Sequence, residues 1–412
     1  MAPVPLGAEP PPPRVLSAAL LALLGALTML GPFSTDAFLP ALPSIAGDLG
    51  ETAAAVQFSL SGITIGMALG QLLVGPVSDA LGRRRPLLAG SATMAAAGVV
   101  AACAGSLPML VAACAVIGLG ASCCVIVARA IVSDLAGSAA LARAYSLIGL
   151  LSGLGPILGP LAGVLALLLA GWRGVFWMLA ALGVAAAVVA LAVVPESLPP
   201  ERRAAGGPRA LVGNIRRVLR TRGYYAGATV LWFGFGALFA YIAASPFLVQ
   251  SVLGLSAVAY TAIFVTNGLG LTVTGTIAAR ASGRVSERRL LAAALALQSA
   301  GALLVLLTVL ADAVSPWTLL PALFLIASSI GLFFGPATAL ALRELRDTAG
   351  TALAILGVGQ FLTAGIVSPL VGLGGERDPL PFALVASVCA MLAWLGWAVF
   401  GTAARSTVAA RR

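Results

Sequence analysis

Apolar runs of about twenty residues recur along the whole chain, and each is long enough to cross the hydrocarbon core of a bilayer. Polar segments rich in glycine, proline and arginine separate them. Of the 412 residues, 60% are hydrophobic and 9% are charged, whereas a soluble domain carries about 25% charged residues. Because a backbone inside hydrocarbon must satisfy its own hydrogen bonds, each run is predicted to be a helix. The chain is therefore predicted to be an all-α integral membrane protein.

Twelve membrane-spanning helices are predicted, and a polar segment divides them six and six. The predicted spans are 15–39, 54–75, 86–105, 108–134, 142–168, 173–195, 224–250, 256–279, 289–311, 315–342, 350–373 and 379–404. The predicted domains are a Pro-rich cytoplasmic tail at 1–14, an N-terminal six-helix bundle at 15–195, a basic cytoplasmic linker at 196–223, a C-terminal six-helix bundle at 224–404 and a cytoplasmic tail at 405–412. Part of the linker, residues 214–222, is expected to be either a basic amphipathic helix on the anionic membrane surface or a solvated segment.

The arginines predict the orientation. All 24 basic residues are arginines, and with both termini in the cytoplasm only Arg173 and Arg377 fall in outer loops. Short Arg-rich loops stay on the cytoplasmic side of a membrane. We therefore predict a multi-pass protein of the inner, or cytoplasmic, membrane with both termini cytoplasmic. Because the arginines cluster in short loops between spans, nucleic-acid binding is not expected despite the net charge of +10.

Metal and enzyme chemistry find little support in the sequence. The chain has no histidine, and its five cysteines all lie in apolar runs, so no metal site is expected. An integral-membrane enzyme would need a catalytic constellation at a membrane face, and a membrane sensor would need an appended soluble domain. Neither feature is indicated, and the protein is not predicted to be an enzyme.

The segment 75–85, between the second and third predicted spans, holds an acid, two glycines and three arginines at fixed spacing. It resembles the loop 2–3 signature of the major facilitator superfamily, although Val77 and Ala80 depart from that signature. The resemblance implies two six-helix bundles around a central cavity and a conformational latch that closes the cytoplasmic side against the N-terminus of span eleven. The implied latch residues are Gly75, Asp79, Gly82, Arg83 and Asp134. Alternatively, the segment serves only as a positively charged topological anchor.

Arg129 lies inside the fourth predicted span, where a charge is costly and indicates function. It resembles the family's span-four arginine, which is thought to assist proton transfer. The alternative is that its long side chain extends to the nearby inner membrane surface.

Span five contains a series of glycines and prolines that resembles the antiporter motif of drug exporters, although Ala162 replaces a common glycine. The motif residues are Gly153, Gly155, Pro156, Gly159, Pro160 and Gly163. Small residues at this spacing permit close helix packing, and proline bends a helix. A similar Pro-Leu-x-Gly ending recurs at Pro369 in span eleven, which supports a relation between the two halves.

The end of span one, 34–43, resembles the Bcr/CflA-type drug:proton antiporters, together with segments 171–173 and 241–247. A chain without histidine must titrate a carboxylate to couple transport to protons, and Asp36 lies farthest from the charged loops. Asp36 is therefore the predicted coupling residue, assisted by Arg129. The alternative is that Asp36 lies solvated in an outer vestibule.

The predicted function is proton-coupled secondary active export of small, mostly apolar compounds such as antibiotics, by alternating access. The alternative is export of a native metabolite such as an amino acid or a sugar. The C-terminal half is expected to shape the substrate cavity, with candidate residues Tyr241, Phe264, Asn267, Phe333, Phe334 and Gln360. The expected partners are the small-molecule substrate and the lipid bilayer. We expect a monomer that needs no cofactor, with the proton as the coupling ion.

Overall fold

The computed structural model describes residues 17–136, 138–203 and 208–409. Fourteen α-helices make up most of this part of the chain. They are α1 (Ala18–Asp36), α2 (Leu42–Leu49), α3 (Ala53–Leu81), α4 (Arg84–Ala102), α5 (Leu107–Leu135), α6 (Ser138–Gly153), α7 (Gly155–Ala192), α8 (Pro208–Arg220), α9 (Arg222–Phe247), α10 (Ala257–Ala281), α11 (Glu287–Leu310), α12 (Pro316–Leu342), α13 (Ala349–Leu370) and α14 (Leu380–Ala409). We call the membrane face at which α1 begins the inner face, and the opposite face the outer face.

Eleven helical segments in the described residues are long and apolar enough to cross a membrane. The longest, Leu147–Ala192, has 46 residues and would measure about 69 Å if straight, more than two bilayer cores. Its helix breaks at Ala170 and Gly171, where the φ of Gly171 is 65°. The chain turns back at this glycine, so the segment makes two crossings. The prediction of twelve spans in two six-helix bundles is confirmed.

The second span ends later than predicted. Helix α3 continues to Leu81 instead of ending at residue 75, so Asp79 lies in its last turns and only Gly82 and Arg83 separate α3 from α4. Asp79 and Arg83 are four residues apart and form an ion pair across the helix end, which supports the extra turn. The φ of 88° at Gly82 then ends the helix in a conformation that glycine adopts without strain.

Small residues allow the helices of each bundle to pack closely. A Cβ atom on Gly66 of α3 would lie 1.9 Å from the Ala115 carbonyl oxygen of α5, and one on Gly227 of α9 would lie 2.1 Å from the Ala337 carbonyl oxygen of α12. Close backbone contact of this kind is typical of helix packing in membranes. Between the bundles, the polar segment contains α8, which connects to the C-terminal bundle through an ion pair from Arg217 to Asp347 at 3.6 Å.

The two bundles are joined by hydrogen bonds at the outer side. They run from Gln57 Nε2 to the Ala243 carbonyl oxygen (3.2 Å), from Ser61 Oγ to the Gly365 carbonyl oxygen (2.7 Å) and from Gln250 Nε2 to the Pro40 carbonyl oxygen (3.3 Å). In the part of the chain that the structure describes, no hydrogen bond joins the inner halves of the bundles.

Helices α3 and α13 show the same asymmetry in their packing. A Cβ atom on Gly372, Gly365 or Gly357 would lie within 3.0 Å of an α3 residue, so the contact is close from the outer end to the middle of the pair. Further inward, no atom lies within 4 Å of such a position on Gly75 or Gly350. The bundles are therefore closed at the outer side and separated at the inner side, and the structure is an inward-facing state.

Candidate functional site

Asp36 is the last residue of α1 and lies at the junction of the two bundles. It is 4% exposed. Thr35 Oγ1 donates a hydrogen bond of 3.0 Å to Asp36 Oδ1. No ion pair involves Asp36 among the residues that the structure describes. Burial without a charged partner is costly for a carboxylate, so this position favours the neutral form in the outer-closed state.

The glycines of span five form the wall behind Asp36. The positions for a Cβ atom on Gly155, Gly159 and Gly163 point at α1, and the one on Gly159 lies 3.4 Å from Asp36 Cβ. The one on Gly163 lies only 1.7 Å from the Ala37 carbonyl oxygen. The backbones of α1 and α7 therefore touch along this face, which any larger side chain would separate.

The remaining motif residues shape the helix of span five. Gly153 ends α6 and has no atom within 4 Å of its Cβ position, and Pro156 lies in the first turn of α7. Proline is well suited to the first turn of a helix and cannot continue the ladder of the preceding one. Pro160 lies inside α7. The motif thus interrupts the helix of span five at Leu154. It also places Gly155, Gly159 and Gly163 of α7 in contact with α1.

Aromatic and amide groups of the C-terminal bundle lie on the other side of Asp36. Asn267 Nδ2 donates a hydrogen bond of 2.8 Å to Tyr241 Oη, and the Tyr241 ring stacks on Phe264 at 5.8 Å. Tyr241 and Tyr260 are both buried and close enough to Asp36 to interact with it electrostatically. Asp36 therefore faces neutral hydrogen-bonding groups across the bundle interface.

Tyr260 was missed by the sequence interpretation, although a signal existed. Tyr260, Phe264 and Asn267 follow one another at spacings of four and three on α10, so they share one helix face. Ser245 Oγ lies 3.4 Å from Tyr260 Oη and links this face to α9. The helical spacing identifies the face, but nothing in the sequence shows that it meets Asp36.

The other three cavity candidates have different environments. Phe333 is fully buried, and its ring lies 2.4 Å from a Cβ position on Gly234, so it packs inside the C-terminal bundle in this state. Phe334 is 47% exposed. Gln360 is 8% exposed, and its Nε2 has no hydrogen-bond partner among the described residues. Of the three residues, Gln360 therefore has an N–H group that is free to donate a hydrogen bond to a substrate.

Arg129 is not brought together with Asp36. Gly31 of α1 and Val125 of α5 face each other and so lie at the same depth in the bundle. Asp36 is five residues outward of Gly31, and Arg129 is four residues inward of Val125. At about 1.5 Å per residue, the two residues are about 14 Å apart along the helix axes. The Arg129 side chain is exposed, and Tyr145 Oη donates to its carbonyl oxygen at 3.2 Å. Within the described residues, Arg129 has no carboxylate partner.

The predicted latch residues meet at the inner end of the N-terminal bundle around Arg83, which is 8% exposed. Arg83 Nε donates to Asp134 Oδ2 at 2.8 Å, and its Nη1 donates to Asp79 Oδ1 and Ser78 Oγ. Burial lowers the pKa of the Arg83 guanidinium, but the hydrogen bonds to Asp134 and Asp79 outweigh burial and raise it above its ordinary value. Arg83 is therefore held charged between two carboxylates.

Glu196 completes this group and was missed by the sequence interpretation. Its Oε1 accepts a hydrogen bond of 2.8 Å from the Arg83 N–H, and its Oε2 accepts one of 3.3 Å from the Arg84 N–H. The carboxylate thus caps the N-terminus of α4, where the helix dipole stabilises negative charge. Ser197 Oγ also donates to Asp134 at 2.8 Å. Glu196 follows span six in the sequence, more than 100 residues from the segment it caps, so the motif does not reveal it. We call Ser78, Asp79, Arg83, Asp134 and Glu196 the Arg83 cluster.

The predicted contact between Asp79 and span eleven is not formed in this state. The Asp79 side chain is 47% exposed and bonds to Arg83 within its own bundle. The N-terminus of α13 lies on the other side of the gap between Gly75 and Gly350. The structure therefore brings the predicted latch residues Asp79, Arg83 and Asp134 together in the N-terminal bundle, and Asp79 makes no hydrogen bond to the described residues of the C-terminal bundle.

Known proteins resemble this chain along almost its full length. The model of the Major Facilitator Superfamily matches residues 23–369. The chain is 34% identical over 382 residues to the uncharacterized MFS-type transporter YdgK of Bacillus subtilis (strain 168), covering 92% of this chain and 94% of that protein. It is 27% identical to the bicyclomycin resistance protein homolog of Haemophilus influenzae, with 91% and 94% covered. It is 28% identical to the multidrug resistance protein MdtL of Escherichia fergusonii, with 89% and 92% covered.

Two solved transporter structures have a similar fold. The crystal structure of a D-xylose-proton symporter matches with a TM-score of 0.70 at 17% identity, covering 91% of this chain and 97% of that one. The partially occluded inward open conformation of the xylose transporter XylE from E. coli matches with a TM-score of 0.69 at 14% identity, covering 91% and 96%. At these identities the likeness concerns the fold alone. The match of the family model to most of the sequence shows that this membrane transporter belongs to the major facilitator superfamily.

Proposed function

We propose that this transporter is a proton-coupled exporter of small, mostly apolar compounds, of the Bcr/CflA drug:proton antiporter type, and that it acts as a monomer. The observation that carries the proposal is the position of Asp36, a buried carboxylate without an ion-pair partner at the junction of two bundles. The names of two relatives, a bicyclomycin resistance protein homolog and a multidrug resistance protein, support export of drugs.

Asp36 would couple protonation to the closing of the outer side. In the inward-facing state it is enclosed by α7 glycines and by Tyr241 and Tyr260, with one hydrogen bond from Thr35. Ionised, it would be a buried and incompletely solvated charge, so closing the outer side favours the protonated form. Asp36 therefore takes up its proton while the outer side is open, and the closed state carries that proton inward. Release of the proton to the inner side then prepares the transporter for outward movement with substrate.

The substrate is recognised by shape and apolar contact in this proposal. The stacked rings of Tyr241 and Phe264 offer a flat apolar surface, and the unused amide donor of Gln360 offers a hydrogen bond. In the described spans of the C-terminal bundle, no acid lies inside the membrane. Such a surface favours weakly polar molecules and does not require one particular charge.

The latch acts on the opposite half of the cycle. When the inner side closes, α3 and α13 would meet between Gly75 and Gly350, and Asp79 would reach the free N–H groups at the start of α13. A carboxylate at a helix N-terminus is stabilised by those donors and by the helix dipole. The Arg83 cluster holds Asp79 in place for this contact. Arg129, exposed on the inner half of α5, is proposed to assist proton release toward the inner side.

The decisive experiment is transport by purified protein in liposomes with an imposed pH gradient and a panel of apolar antibiotics and dyes. We expect concentrative transport of several compounds that a protonophore abolishes. Transport that persists without a pH gradient would contradict proton coupling. Transport confined to an amino acid or a sugar would contradict the proposed substrate class.

A further inference from the structure

The inner end of the C-terminal bundle contains a cleft where α10, α11 and α12 separate. It has a volume of about 550 Å³, and it adjoins a second cavity of about 610 Å³. Glu287 and Ala339 line both, so together they form one depression, which we call the C-terminal inner cleft. Its floor consists of small and apolar side chains, whereas Arg284 and Arg343 contribute charge to its walls.

This cleft occupies the position that the Arg83 cluster has in the other bundle. Arg284 follows a glycine with a φ of 82°, as Arg83 follows a glycine with a φ of 88°. Ala279 follows Gly275 by four residues, the spacing at which Asp79 follows Gly75. The C-terminal bundle therefore has Arg284 as the counterpart of Arg83, but it has an alanine in place of Asp79.

The second acid is also replaced. The spacing from Pro160 to Pro369, which relates span five to span eleven, is also the spacing from Asp134 to Arg343. In addition, the Glu196 carboxylate lies 2.4 Å from a Cβ position on Gly82, whereas no atom lies within 4 Å of such a position on Gly283. Among its described residues, the C-terminal bundle therefore has no carboxylate at the place that Glu196 occupies in the N-terminal bundle. Two carboxylates that neutralise an arginine in one bundle thus correspond to an alanine and a second arginine in the other.

The two arginines of the cleft have no partner within the described part of the chain. Neither the Arg284 nor the Arg343 side chain forms an ion pair or a hydrogen bond there, and both are exposed. Glu287 is the carboxylate that lines the cleft, so two positive charges face one negative charge. The excess of positive charge suits an external anion, and arginine binds phosphate oxygens with several parallel N–H donors.

The surroundings of the cleft indicate a lipid as the source of that anion. The cleft lies at the inner ends of membrane-spanning helices, where headgroups are found. Leu290 and Leu342 add apolar side chains to the lining of the cleft, next to the two arginines. Basic pockets between helices on the cytoplasmic side bind anionic headgroups. We propose that the C-terminal inner cleft binds the phosphate headgroup of an anionic phospholipid between Arg284 and Arg343.

Native mass spectrometry of the purified transporter tests the proposal directly. Titration with phosphatidylglycerol, phosphatidylethanolamine and phosphatidylcholine should show preferential retention of phosphatidylglycerol. The double variant Arg284→Gln/Arg343→Gln should weaken that retention by roughly 25-fold, about fivefold for each arginine. Glu287→Gln should strengthen it, because it removes the one repulsive charge. The matched control is Arg288→Gln, since Arg288 stacks on Trp397 at 5.4 Å and does not line the cleft; its retention should equal that of the wild type.

Several results would overturn the proposal. Equal retention of the three lipids would exclude an anionic site, and wild-type retention in the double variant would place the lipid elsewhere. Weaker retention in Glu287→Gln would contradict the role of charge. Glycerol 1-phosphate, added to the delipidated protein, should bind far more weakly than phosphatidylglycerol; binding of equal strength would identify a soluble phosphate compound as the ligand. A melting curve on each variant confirms that these exposed substitutions leave the fold intact.

Discussion

The two bundles bring different chemistry to the place where they meet. The N-terminal bundle contributes a carboxylate, Asp36, backed by glycines that let α7 touch α1. The C-terminal bundle contributes neutral groups that already bond to each other, as Asn267 does to Tyr241. A group that changes charge suits energy coupling, and a group that keeps its state suits selection of the cargo. In the proposed function, the N-terminal bundle would therefore handle the proton and the C-terminal bundle would select the substrate.

Removing the carboxylate should break this division most severely. Asp36→Asn is nearly isosteric and leaves no group that titrates at this position, so transport driven by a pH gradient should fall to background. Substrate binding and membrane insertion should persist, because the C-terminal aromatic groups are untouched. Flux measurements in proteoliposomes, paired with a binding titration, test this expectation. Asp48→Asn is the control, since Asp48 is an exposed outer acid paired with Arg173; gradient-driven transport by Asp36→Asn at the control's rate would refute the role of Asp36.

The glycine wall behind Asp36 should be the next most sensitive feature. A methyl group at residue 163 would lie 1.7 Å from the Ala37 carbonyl oxygen, so Gly163→Ala must push α7 away from α1. We expect a loss of about 1–3 kcal/mol of stability, as for other overpacked contacts, together with impaired transport. Thermal unfolding in detergent measures the first effect. Gly149→Ala is the matched control on span five, where no atom lies within 4 Å; equal melting points for the two variants would show that the contact does not matter.

The latch should affect the rate of the cycle more than binding. Asp79 is half exposed and pairs with Arg83, so Asp79→Ala should cost only about 0.2–1 kcal/mol of stability. Its loss should nevertheless slow turnover by about fivefold or more, because the inner-closed state loses the contact with α13. Substrate affinity measured at equilibrium should remain near that of the wild type. A variant that binds poorly but turns over bound substrate normally would argue against a latch.

The smallest effect on the transport rate is expected from a change among the aromatic groups of the C-terminal bundle. Tyr241→Phe keeps the ring that stacks on Phe264 but leaves the Asn267 amide without its acceptor, at a cost of about 1–3 kcal/mol. Proton-driven transport should continue, while the ranking of substrates by apparent KM changes. A panel of structurally different substrates reveals this change. If Tyr241→Phe instead reduced proton coupling equally for every substrate, Tyr241 would have a role in proton handling. That result would contradict the proposed division of tasks between the bundles.

The sequence predicted the elements of the fold well because the bilayer leaves few alternatives. Span length, helix formation and the division into two bundles all follow from hydrocarbon thickness and backbone hydrogen bonding. The boundary of span two was wrong because hydropathy does not register the ion pair that extends α3 to Leu81. The turn at Gly171 is also shorter than any polar loop, since one glycine in the left-handed region reverses the chain.

The site was predictable where a motif is local. The group of Asp79 and Arg83 lies within one turn, and Asp134 was added by resemblance to the family. Glu196, Ser197 and Tyr260 were not predicted, because each acts through a tertiary contact that no sequence spacing encodes. Likewise, the separation of Arg129 from Asp36 depends on the level at which α1 crosses α5. Long-range placement, rather than residue type, was the missing information.

The capping of α4 by Glu196 also has a consequence for biosynthesis. The Arg83 cluster leaves the ribosome in three steps: Ser78, Asp79 and Arg83 come first, Asp134 follows, and Glu196 comes last, after the sixth crossing has been synthesised. Until then the arginine of a nascent chain lacks its full set of acids. Because domains tend to fold as units during synthesis, N-terminal first, we expect the first bundle to be complete only once this cluster has formed. We therefore expect the second bundle to be inserted beside a first bundle that is already folded.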